Sequence, residues 1–221
     1  MPNALDLLEP SLRMYLSSLQ ARSQYAEKQV LSGADISPAD FEFNTEILRQ
    51  VGAQWLVPGV LLSLQYLSKT GLEYVNSVSD TLTYCANAEE DVPYQIPEAQ
   101  LHLQDMPLAA KLIALHDVCL AHVWALAFGM RPELHRSIQI AKYEAGHKGS
   151  SWHYDQDSEC TTTVSLNSDY IGGGMRVFTS DVLWKSGPGE AFLFKGGTTL
   201  HRSEPVSAGA RKVLVHWVDR G

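Results

Sequence analysis

Four residues in this chain have the types and spacings that metal chemistry asks for. His153 and Asp155 are two apart, so on extended backbone their side chains share a face. His201 lies 46 positions after Asp155, and Arg211 follows ten positions later. Two imidazoles and one carboxylate can occupy one face of a six-coordinate Fe(II) and leave three positions open. An arginine set beyond them can hold the far carboxylate of an organic acid that chelates two of those positions. A His-x-Asp triplet alone arises often by chance as a solvated turn; the joint pattern carries the reading.

The run after Arg211 says which way that arginine points. Alternate residues put Arg211, Val213, Val215 and Trp217 on one face and Lys212, Leu214, His216 and Val218 on the other. The first face is the more apolar, so it is expected to point inward and to take Arg211 with it. A guanidinium keeps its charge, and burying it unpaired costs several kcal/mol, so it calls for an anionic ligand. The competing possibilities are a solvated Arg211 at the strand mouth, or one paired with Glu190. Lys212 is the alternative anchor.

The elements that must position these groups have two textures. From Ser137 onward, short runs rich in β-branched and aromatic residues alternate with Gly, Ser, Asn and Pro: Ile138–Tyr143, Thr161–Leu166, Met175–Phe178, Val182–Trp184, Ala191–Phe194 and Lys212–Val218. Close-spaced short strands without helical pattern between them predict a β-sandwich or barrel. Before that, Leu5–Val30 has helical spacing, Ser32–Pro38 is a break, and Ser37-Pro38-Ala39-Asp40 is a helix start for Phe41–Gln50. Loops are expected at Pro58-Gly59, at Glu89–Pro93 and at Pro97. Pro107–Gly129 is the clearest helix, with proline at its start and glycine at its end. The expected fold is α+β: residues 1–136 a mainly helical support, 137–221 a jelly-roll catalytic core, the two forming one compact unit.

Composition narrows the function. The 221 residues suffice for a sizeable core, and 45 % apolar with 19 % charged is ordinary for a soluble protein. A net charge of −8 argues against broad attachment to nucleic acid or an anionic membrane. Residues 1–16 lack the basic and apolar regions of a signal peptide. The apolar stretches Trp55–Leu64 and Val118–Phe128 are expected to be too short or too interrupted to span a bilayer. Three widely spaced cysteines (Cys85, Cys119, Cys160) argue against a disulfide framework. A reducing, cytoplasmic setting fits, and it would keep iron ferrous.

Tyr143-Glu144-Ala145-Gly146, His153-x-Asp155, Gly173-Gly174 with Phe178, Gly189–Phe194, and His201 followed by Pro205-Val206, Gly209 and Arg211 together resemble the prolyl 4-hydroxylase-like branch of the Fe(II)/2-oxoglutarate dioxygenases. The match runs from about Ala141 to Trp217. The resemblance implies a double-stranded β-helix, with His153, Asp155 and His201 binding Fe(II). Arg211, where many members have lysine, would bind the far carboxylate of 2-oxoglutarate, and Tyr143 would add a hydroxyl. A core tyrosine with a satisfied hydroxyl is the plainer reading of Tyr143. A carboxylate at position 155 favours hydroxylation over halogenation. O2 is the co-reactant implied, and ascorbate a reductant.

Departures from the family pattern fall at substrate positions. Met175-Arg176 replace a usual Glu-Thr, and Ser165 replaces a usual tyrosine. Arg176 is a candidate contact for an acidic substrate, with a solvated surface role as the alternative. His147, Lys148 and Trp152 are candidates for a substrate lip. His102, His116, His122, His135, His216 and Cys160 show no competing ligand spacing, and His116 and His122 are expected to be structural. The expectation is hydroxylation of an unactivated C–H bond on an amino-acid side chain, prolyl or similar, in a peptide or a free small molecule. The alternatives are an oxygenase acting on a nucleic-acid base, or a non-catalytic metal-binding scaffold.

Overall fold

In the computed structural model, which describes residues 1–34, 37–88, 90–156 and 158–220, helices cover one face of an eight-stranded sheet and two short ribbons cover the other. The helices are α1 (Pro10–Leu31), α2 (Pro38–Gln50), α3 (Lys69–Ser79), α4 (Leu101–Gln104), α5 (Met106–Leu115) and α6 (Ala121–Phe128). The strands begin with β1 (Gln54–Val57), β2 (Leu61–Gln65), β3 (Cys85–Ala86) and β4 (Pro97–Gln100). They continue with β5 (Pro132–Glu144), β6 (Cys160–Ser165), β7 (Ile171–Gly172), β8 (Met175–Val177) and β9 (Glu190–Phe194), then β10 (His201–Ser203), β11 (Val206–Ala208) and β12 (Ala210–Arg220). The large sheet runs β1-β2-β9-β6-β12-β5-β4-β3, and the ribbons are β8/β10 and β7/β11. Every pairing among the described residues is antiparallel.

The helix signals act as their chemistry requires. Ser37 caps α2 by accepting the Asp40 amide at 3.1 Å, and its hydroxyl donates to Asp40 Oδ2 at 2.6 Å. Asp35 and Ile36 of the preceding break lie outside the described residues, as does Glu89 of the acidic loop. Asp105 accepts the Leu108 amide at 2.8 Å to start α5. Between α5 and α6 one turn, His116–Leu120, is π-helical, and the run ends at Gly129 in the left-handed region at φ 68°. Met106–Phe128 is therefore one 23-residue helical run, long and apolar enough by length and composition to cross a membrane. The run matches the helix expected over Pro107–Gly129 and is longer than the Val118–Phe128 stretch expected to be too short to span a bilayer. Its Leu108, Leu112, Leu115, Leu120, Val123 and Trp124 are buried in the main core.

Two differences from the expected organisation affect the site. Four strands come from the first half of the chain, and β4 pairs with β5 so that Glu98 faces Ala141 and Gln100 faces Gln139. The expected strand Val182–Trp184 reduces to one bridge, Trp184 to Met175.

Alternation along β12 divides the core as the pattern predicts. Leu214 packs into the helix-side cluster with Ile138, Ile140 and Val164. Val213 and Val215 pack on the other face with Ile96, Ala141, Tyr143 and Val206. A third cluster joins Met175 and Val177 of β8 to Phe192 and Phe194 of β9. Between these last two clusters lies a cavity of about 770 Å³.

Candidate metal centre

His153 forms an isolated bridge ahead of β6, and His201 opens β10. The two residues exchange both backbone hydrogen bonds, each at 3.0 Å, as a single antiparallel bridge. The rings therefore lie side by side, with centroids 4.3 Å apart. Each Nδ1 faces a carbonyl two residues back: Ser151 O at 2.8 Å for His153 and Thr199 O at 2.9 Å for His201. An Nδ1–H donated to those carbonyls leaves a bare lone pair on each Nε2. Asp155 Oδ1 is 3.6 Å from one Nε2 and 3.8 Å from the other. Ligand atoms of all three residues lie within 4.8 Å of one another, the grouping a single ion needs.

The surroundings fix each ligand. The Asp155 amide donates to Gly196 O at 3.1 Å, and the Thr161 hydroxyl donates to Asp155 Oδ2. Gly196 makes this contact possible: a Cβ there would lie 2.5 Å from Thr161 Oγ1 and 2.9 Å from Asp155 Cβ. Burial pushes the His201 imidazole below its ordinary range, Asp155 opposes that and His153 reinforces it. A neutral His201 is what coordination requires.

Arg211 points into the same cavity and is only 5 % exposed. It faces Tyr143 across the β12–β5 ladder, with its guanidinium 5.2 Å from that ring. Its Nη1 donates to Ser203 Oγ at 3.4 Å. No carboxylate among the described residues forms an ion pair with it; Glu190 instead accepts the Gly187 amide at 2.8 Å. Lys212 points to the other face and pairs with Asp80 at 2.5 Å, which removes it as the anchor. Tyr143 is buried, and burial pushes its hydroxyl up while Arg211 and a hydrogen bond with Ser203 pull it down.

Other expected residues lie elsewhere. Arg176 pairs with Glu204 at 2.8 Å, donates also to the Asp181 carbonyl, and does not line the cavity. His147, Lys148 and Trp152 do not line it either; Trp152 packs edge-on against Phe178 and lies under the Arg202 guanidinium. Sequence reasoning missed Thr161, Ser203, Gln100 and Gln139. Ser203 was within reach of it, being two residues beyond His201 on a strand and so on the same face. Thr161 carried no signal beyond its place in a predicted strand.

The chain is 35 % identical over 101 residues to a PKHD-type hydroxylase of Synechococcus sp., a match covering 40 % of this chain and 45 % of that protein. It is 35 % identical over 65 residues to a PKHD-type hydroxylase of Colwellia psychrerythraea, covering 28 % and 29 %. The chain thus spans less than half the length of the curated relatives it matches. No family model matches it. Its fold is shared with a 2OG-Fe(II) oxygenase family oxidoreductase of Burkholderia pseudomallei, at TM-score 0.59 and 18 % identity, covering 82 % of this chain and 90 % of that one. It is shared equally with a Pseudomonas putida prolyl-4-hydroxylase, at TM-score 0.59 and 15 % identity, covering 81 % and 99 %. The fold is that of the 2OG-Fe(II) oxygenases. Within it, the chain resembles the prolyl 4-hydroxylase-like hydroxylases.

Proposed function

We propose that the chain is an Fe(II)- and 2-oxoglutarate-dependent dioxygenase that hydroxylates an unactivated C–H bond, on an amino-acid side chain of a peptide or small molecule. The observation that carries this is one cavity holding both the His153–Asp155–His201 group and a buried arginine with no acidic partner among the described residues. On this reading the sheet and the two ribbons form the two sides of a double-stranded β-helix. Residues 137–221 supply the ligands, and residues 1–136 supply the helical cover together with β1 to β4.

Bound iron would supply O2 activation coupled to oxidative decarboxylation of 2-oxoglutarate. His153 and His201 offer their Nε2 atoms, held in place by the carbonyls that take their Nδ1 protons. Asp155 offers Oδ1 while Thr161 holds Oδ2, so the carboxylate cannot swing away. Arg211 would hold the far carboxylate of the co-substrate, its planar guanidinium being suited to a carboxylate. Ser203 and Tyr143 hold the guanidinium side-on, and Tyr143 can give its hydroxyl proton to the same carboxylate. The apolar walls built from Val213, Val215 and Met175 limit water around the reacting groups.

Substrate would occupy the remainder of the cavity, lined by Glu98, Gln100, Ser137, Gln139 and Thr163. Gln100 and Gln139 bond each other at 2.5 Å, and the Ser137 hydroxyl donates to Gln100 at 2.6 Å. Amide and hydroxyl groups of this kind match the polar backbone of a peptide or amino acid. The test is anaerobic loading with Fe(II) and 2-oxoglutarate, then O2 and ascorbate, with succinate measured. A screen of peptides, amino acids and oligonucleotides for a mass gain of one oxygen would follow. No succinate from metal-loaded protein with any candidate would leave the scaffold reading in its place.

A further inference from the structure

We propose that His116, Asp117 and His135 form a second divalent-metal site, for zinc-class ions, on the helix-covered face of the main sheet. His116 and Asp117 come from the π-helical turn between α5 and α6, and His135 comes from β5. One ligand atom from each lies within 4.8 Å of the others, the same donor set and spread as the cavity site. None of the three lines the cavity. His216, which meets His135, stands on β12 between Val215 and Trp217, whose side chains do line it. The sheet therefore separates the two groups, and this inference does not depend on the proposed oxygenase activity.

The hydrogen bonding is that of a ligand set waiting for a cation. Asp117 Oδ1 lies 2.9 Å from His135 Nε2 and 3.4 Å from His116 Nδ1. His116 is fully buried; its Nδ1 is the nitrogen that faces Asp117, and its Nε2 has no hydrogen-bond partner among the described residues. His135 Nδ1 lies 2.9 Å from His216 Nε2. If His135 carries its proton on Nδ1 and gives it to His216, its Nε2 becomes a bare lone pair aimed at Asp117. A cation then replaces the proton between them, with the outer hydrogen bond that fixes a metal-bound imidazole. Two imidazoles and one carboxylate suit Zn(II), with water in the fourth position. The Asp117 side chain is 51 % exposed and that of His135 17 %, which leaves the ion a path from solvent. π-Turns of this kind are frequent at functional sites.

The experiment is equilibrium dialysis of full-length protein against Zn(II), with metal counted by mass spectrometry. Co(II) serves as a visible-absorbing probe of low-coordinate geometry. Wild type should hold two equivalents, and the His153→Ala/His201→Ala variant one. Adding Asp117→Asn, which keeps shape and removes charge, should abolish that remaining equivalent and the Co(II) bands; adding His135→Ala should do the same. Each loss should exceed the roughly 10- to 100-fold weakening expected from an outer-shell change such as His216→Gln. If the His153→Ala/His201→Ala protein fails to fold, the comparison is wild type against Asp117→Asn alone, expected to differ by one equivalent. Zinc binding in the cavity-site variant that is absent, or unchanged by both Asp117→Asn and His135→Ala, overturns the site.

Discussion

His153 and His201 hold each other in place through backbone, each amide bonded to the other's carbonyl at 3.0 Å. The two imidazoles are thereby set side by side, and Asp155 is placed by its own amide on Gly196 O and by the Thr161 hydroxyl. Removing a ligand should thus cost binding and not folding. His153→Ala, Asp155→Ala and His201→Ala are each expected to abolish iron-dependent succinate formation with the melting temperature little changed. Thr161→Val, which removes the hydroxyl on Asp155, should weaken Fe(II) by about 10- to 100-fold. Full activity in any of the three alanine variants would move the metal elsewhere.

The buried arginine makes a quantitative prediction. A charge-assisted hydrogen bond is worth about 1.5–3 kcal/mol, so Arg211→Ala should weaken 2-oxoglutarate by at least about 100-fold and leave Fe(II) affinity nearly unchanged. Arg211→Lys keeps the charge and loses the fork, so it should do less harm. Tyr143→Phe should cost the least, as a single neutral hydroxyl. Anaerobic titration of the iron-loaded variants decides it. Arg211→Ala protein that binds 2-oxoglutarate as wild type does would remove the anchor.

Gly196 and Gly197 offer a matched pair. A Cβ at Gly196 would meet Thr161 Oγ1 at 2.5 Å and Ser158 O at 2.8 Å, whereas at Gly197 the nearest atom is Ser158 O at 3.6 Å. Gly196→Ala should destabilise by about 1–3 kcal/mol, as overpacking does, and weaken Fe(II) because Thr161 and Asp155 must part. Gly197→Ala should melt and bind metal nearly as wild type. Equal effects of the two in calorimetry and metal titration would contradict the close approach.

His122 sets a pH dependence of stability. Burial lowers its pKa to about 4 from 6.5, helped by the charges of Arg131 and His116. Its Nδ1 lies 2.5 Å from the buried Ser23 hydroxyl. The unfolded chain takes up the proton first, so stability is full above pH 6.5 and falls as pH drops from there toward 4. The contribution of this one histidine is at most about 3 kcal/mol over that window. His122→Gln should flatten the urea-midpoint curve between neutral and mildly acid pH. Parallel curves for the two proteins would assign the loss to other groups, among them His116 and His216, whose pKa values burial also lowers.

Where a residue's type and strand parity sufficed, the sequence was legible. Arg211 follows the apolar face of β12 inward, and the proline and glycine around Met106–Phe128 mark that helix correctly. Long-range placement was not legible. β2 is buried along four consecutive residues, so it lacks the alternation that marks a strand, and β3 is two residues long. α3 contains Gly71 and β-branched residues and is held instead by its Ser68 cap and by close seating on Leu7, whose carbonyl a Cβ at Gly71 would meet at 2.3 Å. His116 and Asp117 meet His135 only because the π-turn packs onto β5, a pairing that no local spacing encodes.

The place of β12 has a consequence for biosynthesis. It lies between β5 and β6, with β1, β2 and β9 beyond one neighbour and β4 and β3 beyond the other. Until residues 210–220 are available to pair, the sheet can form only as two separate halves, each with an unpaired edge. Such edges invite pairing with other nascent chains. His153, Asp155 and His201 have all been synthesised by then, yet Arg211 and the strand that joins the halves arrive together. The nascent chain thus gains its continuous sheet and its buried Arg211 in the same step.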